Sequence, residues 1–291
     1  MKKVIGALSM AACATLFATS YASAEETQGE PSIEQEGWNL VWSDEFDGNS
    51  LDPSKWRHDI GNGQPNLPGW GNEELQYYSD DPKNVRVQNG ELIIEAHQES
   101  VSDQYGTYGY TSGKVLTEGR FSQTYGRFEA RMRLPAGQGF WPAFWMMPEN
   151  DRYGGWAASG EIDIMENAGG SPYKIGGAIH YGGPWPENQF QAGDYYFPAG
   201  TDATGYHEYA VEWEPGEIRW YVDGNHYQTI NDWYSTGGSY PAPFDQDFHL
   251  ILNLAVGGWY GGNQTVQRLF HPLWQLIMCA YMSGNAMFIE S

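Results

Sequence analysis

The chain of 291 residues carries 37 acidic against 15 basic side chains, a formal net charge of −22. That balance repels nucleic acid and anionic membranes, disfavours sulfated or uronic polysaccharides, and suits a neutral or cationic ligand. Its 37 Gly, 20 Tyr and 13 Trp fit strands and turns rather than helices, and its two cysteines, Cys13 and Cys279, are too few for a disulfide framework once the first is placed in a cleaved leader.

Lys2 and Lys3 head an apolar stretch that closes on Ala22-Ser23-Ala24, the small-x-small form of a signal-peptidase site. The stretch is shorter than the roughly 20 residues a membrane span needs. The expected organisation is a signal peptide over residues 1–24, a polar lead over 25–36 and one domain over 37–266, in a secreted product (extracellular or periplasmic). Alternation with period two begins in that domain. After a turn at Asn89-Gly90, Leu92, Ile94 and Ala96 alternate with Glu91, Ile93 and Glu95. Phe128, Ala130, Met132 and Leu134 alternate with Arg127, Glu129, Arg131 and Arg133. Tyr209, Val211 and Trp213 lead through Pro215-Gly216 to Ile218, Trp220 and Val222, and Asp223-Gly224 signals a further turn. Phe248, Leu250, Leu252, Leu254 and Val256 mark another strand. No helical period exceeds about two turns. The expected fold is all-β: an antiparallel β-sandwich or jelly roll.

Gly160-Glu161-Ile162-Asp163-Ile164-Met165-Glu166-Asn167 sets three acids within six residues of an apolar strand. On a regular strand Glu161 and Asp163 share a face and Glu166 points the other way. A β-bulge near Ile164-Met165 would add one residue and return Glu166 to their face. The two Glu would then stand as if four positions apart, about 13 Å at Cα. Side chains leaning inward could reach the ~5–5.5 Å carboxyl separation of a retaining glycosidase. Three like charges so close cannot all stay ionised cheaply. The expected roles are Glu161 as ionised nucleophile, Glu166 as protonated acid/base, and Asp163 as the hydrogen-bonding group that tunes the pair. A solvated acidic strand and a carboxylate metal site are the alternatives, and the apolar residues between the acids argue against the first.

Aromatic residues surround the cluster: Trp141, Phe144 and Trp145 precede it and Trp156 lies just before it. Such rings stack on the C–H faces of sugars, although any single Trp can equally be core. Asn72, Glu74 and Gln76 could supply hydrogen bonds, and His180 follows by one hairpin, where it either approaches the site or is structural. No phosphate loop, zinc spacing or nucleophilic Ser elbow is present.

At these residues the chain resembles glycoside hydrolase family 16, and within it the laminarinase-like endo-β-1,3-glucanases. Glu161, Asp163 and Glu166 match the Glu-x-Asp-x-x-Glu hallmark. Trp141-Pro142-Ala143-Phe144-Trp145-Met146, Gly71-Asn72-Glu73-Glu74-Leu75-Gln76-Tyr77-Tyr78 and Trp42-Ser43-Asp44-Glu45-Phe46 look like its other shared segments. The likeness covers about residues 37 to 265. It implies a β-jelly-roll with a substrate cleft across the concave sheet, and retaining hydrolysis. The expected partner is a neutral β-glucan, with no nucleic acid and no membrane, and the enzyme is expected to be a monomer. The likeness gives Glu161, Glu166 and Asp163 the same roles and places Asn72, Trp141, Trp145, Trp156 and His180 in the cleft. It also implies a structural calcium on the convex side, with Glu45 and the Gly90 carbonyl as two ligands; oxygen donors suit that ion. Mixed-linkage β-1,3-1,4-glucan is the alternative substrate, and a non-catalytic β-glucan-binding protein the alternative class.

The likeness fails at the end. Members close on a strand of the form Val-Asp-Tyr-Val-Arg-Val-Tyr, absent from Arg268–Met282. Back-translation from the third base of the Leu273 codon permits Met-Ala-Val-Asp-Tyr-Val-Arg-Val-Tyr-Glu. The expectation is a frameshift near residues 264–268, an unrelated tail over 267–291, loss of a central strand and of the third calcium ligand.

Overall fold

Fourteen strands build two seven-stranded sheets. In chain order they are β1 (Arg57–His58), β2 (Val85–Gln88), β3 (Glu91–Ala96), β4 (Lys114–Leu116), β5 (Gly126–Arg133), β6 (Phe140–Pro148) and β7 (Glu161–Glu166). There follow β8 (Lys174–Gly182), β9 (Asn188–Tyr196), β10 (His207–Glu214), β11 (Glu217–Val222), β12 (Asn225–Ile230), β13 (Phe248–Val256) and β14 (Leu276–Tyr281). This computed structural model describes residues 38–262 and the backbone of 276–281. The expected signal peptide and polar lead, and the rest of the 267–291 tail, lie outside the described residues.

One sheet runs β1-β4-β13-β6-β7-β8-β9 and the other β12-β11-β10-β5-β14-β3-β2. Neighbours in both pair antiparallel, giving the expected sandwich of jelly-roll type. Turn chemistry fixes two registers. Asn89 and Gly90 both take positive φ (58° and 77°) between the paired Gln88 and Glu91, and Asp223 and Gly224 (49° and 72°) do the same between Val222 and Asn225. Such two-residue hairpins match the twist of the flanking strands.

The core lies between the sheets. From the first come Phe144, Met146, Ile162, Leu250, Leu252 and Leu254; from the second come Phe128, Met132, Trp213 and Trp220, all at most 1 % exposed. Each such side chain contributes roughly 1.5–3 kcal/mol on burial. Alternation decides what faces outward. On β6 and β13 the even positions enter the core, leaving Trp141, Trp145, His249 and Asn253 on the opposite face.

One expectation is corrected here. The place of the final strand is not empty: Leu276–Ala280 pair with β3 and Cys279–Tyr281 with β5. Ladder hydrogen bonds need an extended backbone rather than particular side chains, and Leu-Ile-Met-Cys-Ala-Tyr is apolar and strand-compatible.

Candidate active site

The bulge that the acid spacing demands is present in β7. Glu161 pairs with His180, Ile162 with Ile179 and Asp163 with Ala178, and the next pair is Glu166 with Gly176. Ile164 and Met165 therefore stand opposite the single Gly177. Toward β6 the register also slips, from Trp145–Asp163 to Phe144–Met165. Ile164 and Met165, though adjacent, both lie in the core, and the extra residue turns Glu166 back to the face of Glu161 and Asp163. All three acids line one cavity of about 410 Å³ on the outer face of that sheet.

Hydrogen bonds hold the carboxyls apart in role. Trp156 Nε1 donates to Glu161 Oε2. Trp141 Nε1 donates to Glu166 Oε1 at 2.9 Å. His180 Nε2 lies 3.4 Å from Asp163 Oδ2. Burial pushes Glu166 up to about 7; the Trp141 bond opposes this and the neighbouring Glu161 adds to it. Burial, then the charges of Glu161 and Glu166, hold Asp163 well above the usual carboxylate range. Burial alone would lower His180, but Glu161 and Asp163 outweigh it and raise the imidazole to about 9. At neutral pH the cluster thus carries a protonated imidazole beside Asp163 and a carboxyl on Glu166 that is half protonated near pH 7.

Asn72, Trp141 and Trp145 line the same cavity. Trp145 Nε1 donates to Asn253 Oδ1 at 2.7 Å, Asn253 Nδ2 to Tyr78 Oη at 2.9 Å, and Tyr78 Oη to Glu74 Oε2 at 3.3 Å. Asn72 and Gln76 donate to the same Glu74 carboxyl at 3.1 and 2.6 Å. Trp156 and His180 sit against each other with ring centres 5.5 Å apart, on the β8 side of Glu161. Sequence reasoning missed several members of the cleft. Lys114 packs its ammonium 3.9 Å over the Trp70 ring and 3.0 Å from Asp59 Oδ2, and all three line the cavity with Asn253 and His249. Asn253 and His249 were readable as the polar positions of an otherwise apolar alternating strand. Trp70, in the short 3-10 segment Pro68–Gly71, carries no such signal.

The donor chemistry bears on metals. Oxygen and nitrogen atoms of Glu161, Asp163 and His180 lie within 4.8 Å of one another. A metal needs deprotonated ligands, whereas His180 and Asp163 are both shifted toward their protonated forms. For the expected calcium, Glu45 and the Gly90 carbonyl are suitable oxygen donors, and Gly90 occupies the β2–β3 turn. Calcium takes six to eight oxygens, and the sequence of β14 contains no carboxylate to add a third. The two donors alone do not make a calcium site, and no chemical step is assigned to the ion.

Comparison with known proteins agrees with this geometry. The sequence model of glycosyl hydrolases family 16 matches residues 72–270. A glucan endo-1,3-beta-glucosidase A1 of Niallia circulans is 48% identical over 250 residues, covering 82% of this chain and 36% of that protein. The chain therefore spans little more than a third of that relative. A beta-glucanase of Rhodothermus marinus is 46% identical over 252 residues, covering 81% of each chain. The crystal structure of the laminarinase catalytic domain of Thermotoga maritima superposes with a TM-score of 0.76 at 39% identity, covering 88% of this chain and all of that domain.

Proposed function

The chain belongs to glycosyl hydrolases family 16, and we propose that it hydrolyses β-1,3-glucan internally and with retention of configuration. The observation that carries this reading is the β7 bulge, which sets Glu161 and Glu166 on one face of one cleft. The Glu161 carboxylate attacks the anomeric carbon while Glu166 gives its proton to the glycosidic oxygen, so the leaving chain departs with a hydroxyl. A glycosyl ester on Glu161 results. Its formation removes the Glu161 charge, one of the influences that raise Glu166. Glu166 then falls in pKa and takes a proton from water as that water attacks the same carbon. Two inversions leave the β-anomer and restore the Glu161 carboxylate. Asp163, with the His180 cation beside it, positions Glu161 and keeps the cluster from carrying three full charges.

Trp141, Trp145 and Trp156 offer ring faces to a neutral sugar chain, and Asn72 adds a hydrogen-bonding side chain. The name of the Niallia protein supports a β-1,3-linked substrate. Export through the leader and a monomeric enzyme complete the reading. N-terminal sequencing of the secreted product and light scattering test those two points. Reducing-sugar release tests the function itself: rapid release from laminarin, slower release from lichenan and none from agarose is expected, with Glu161→Gln silent on all. Faster cleavage of lichenan would shift the substrate to mixed-linkage glucan, and binding without turnover would make the protein a glucan receptor.

A further inference from the structure

A bulge breaks the regular ladder, so a carbonyl inside it needs a partner from elsewhere. The Asp163 carbonyl finds one across the core: Trp220 Nε1, on β11 of the opposite sheet, donates to it at 2.8 Å. Trp220 is fully buried. Its indole reaches that carbonyl over Gly177, the residue that faces the two bulged positions. A Cβ on Gly177 would lie 2.4 Å from Trp220 Cδ1, 2.6 Å from its Nε1 and 2.6 Å from Tyr227 Oη. Residue 177 must therefore lack a side chain for the indole to sit where it does. We infer that Trp220, seated on Gly177, is a positioning residue for the reaction: its N–H fixes the carbonyl of Asp163 and so sets the angle at which the bulge presents Glu166 to Glu161.

The inference rests on the catalytic roles proposed above, and its test separates the two. Trp220→Phe keeps an aromatic ring and removes the N–H. Trp213→Phe is the control: Trp213 is equally buried, on β10, and donates to the Phe244 carbonyl at 3.3 Å, which is no part of the cleft. On laminarin, Trp220→Phe is expected to lower kcat on the order of tenfold or more, since small misplacements of reacting groups cost that much. KM should stay within about twofold, the signature of an interaction made in the transition state. The alkaline limb of its pH profile should move, because Glu166 changes its distance to Glu161. Gly177→Ala should reproduce both effects. Trp213→Phe should lose similar melting temperature and keep its kcat and pH profile. If Trp220→Phe does not fold, the benzothiophenyl analogue of tryptophan, which replaces the N–H by sulfur at nearly the same shape, carries the same comparison. Equal kcat and equal pH limbs in the two tryptophan variants would overturn the inference while leaving wild-type cleavage intact; a wild type that does not cleave laminarin would overturn the functional reading first.

Discussion

Replacing Glu166 by glutamine should abolish hydrolysis and, at the same time, stabilise the fold in a pH-dependent way. Folding raises the Glu166 carboxyl from its usual 4.5 to about 7, chiefly by burial. A carboxyl whose folded pKa is raised binds its proton more tightly in the folded than in the unfolded chain. Below pH 4.5 both states are protonated and the group has no net effect. As pH rises from 4.5 to 7 the unfolded chain gives up its proton first, and stability falls. Above 7 the folded state carries the full cost, about 3 kcal/mol at about 1.36 kcal/mol for each pH unit between the two pKa values. Glutamine cannot ionise, yet its carbonyl oxygen can still accept from Trp141 Nε1, the bond that Glu166 accepts at 2.9 Å. Denaturant unfolding of both proteins at pH 4.5, 6 and 8 should give a stability gain for Glu166→Gln near zero, intermediate and at most about 3 kcal/mol. The attraction of the His180 cation, which lowers the Glu166 carboxyl, is already contained in that figure. A gain that does not grow with pH, or a loss at pH 8, would refute the burial argument for the acid.

Activity should fall as pH rises through about 7 while Glu166 loses its catalytic proton; initial rates on laminarin between pH 5 and 9 locate that limb. Trp141→Phe removes an N–H that favours the ionised form of Glu166, so the same limb should move to higher pH. Phe144→Ala, deep between the sheets at 0 % exposure, should cost roughly 3–5 kcal/mol by cavity formation, read by urea unfolding, with the pH profile unchanged in the fraction that remains folded.

Much of the frame was legible because it is periodic. The alternation in β3, β5, β10, β11 and β13 named their inward faces, and Asn89-Gly90 and Asp223-Gly224 named two hairpins. The site was legible through a conflict: Glu166 stands at an odd spacing from Glu161, and only an inserted residue reconciles that with shared chemistry. What holds the bulge was not legible. Trp220 lies 57 residues from Asp163 in sequence, and nothing local marks its indole as a partner for that carbonyl or Gly177 as its seat. Lys114 and Trp70 were hidden for a similar reason, since one cation and one ring gain meaning only when the folded chain stacks them. The tail was misjudged in structural terms because its lack of the expected side chains was read as the lack of a strand, and backbone pairing does not require those side chains.

The central claim is that the bulged strand makes Glu161 the nucleophile and Glu166 its proton donor. A 2-deoxy-2-fluoro glucosyl donor with a good leaving group, followed by peptide mass spectrometry, tests it directly. The label should sit on Glu161 as a single glucosyl ester. A label on Glu166, or release of the α-anomer with no covalent adduct, would contradict the account.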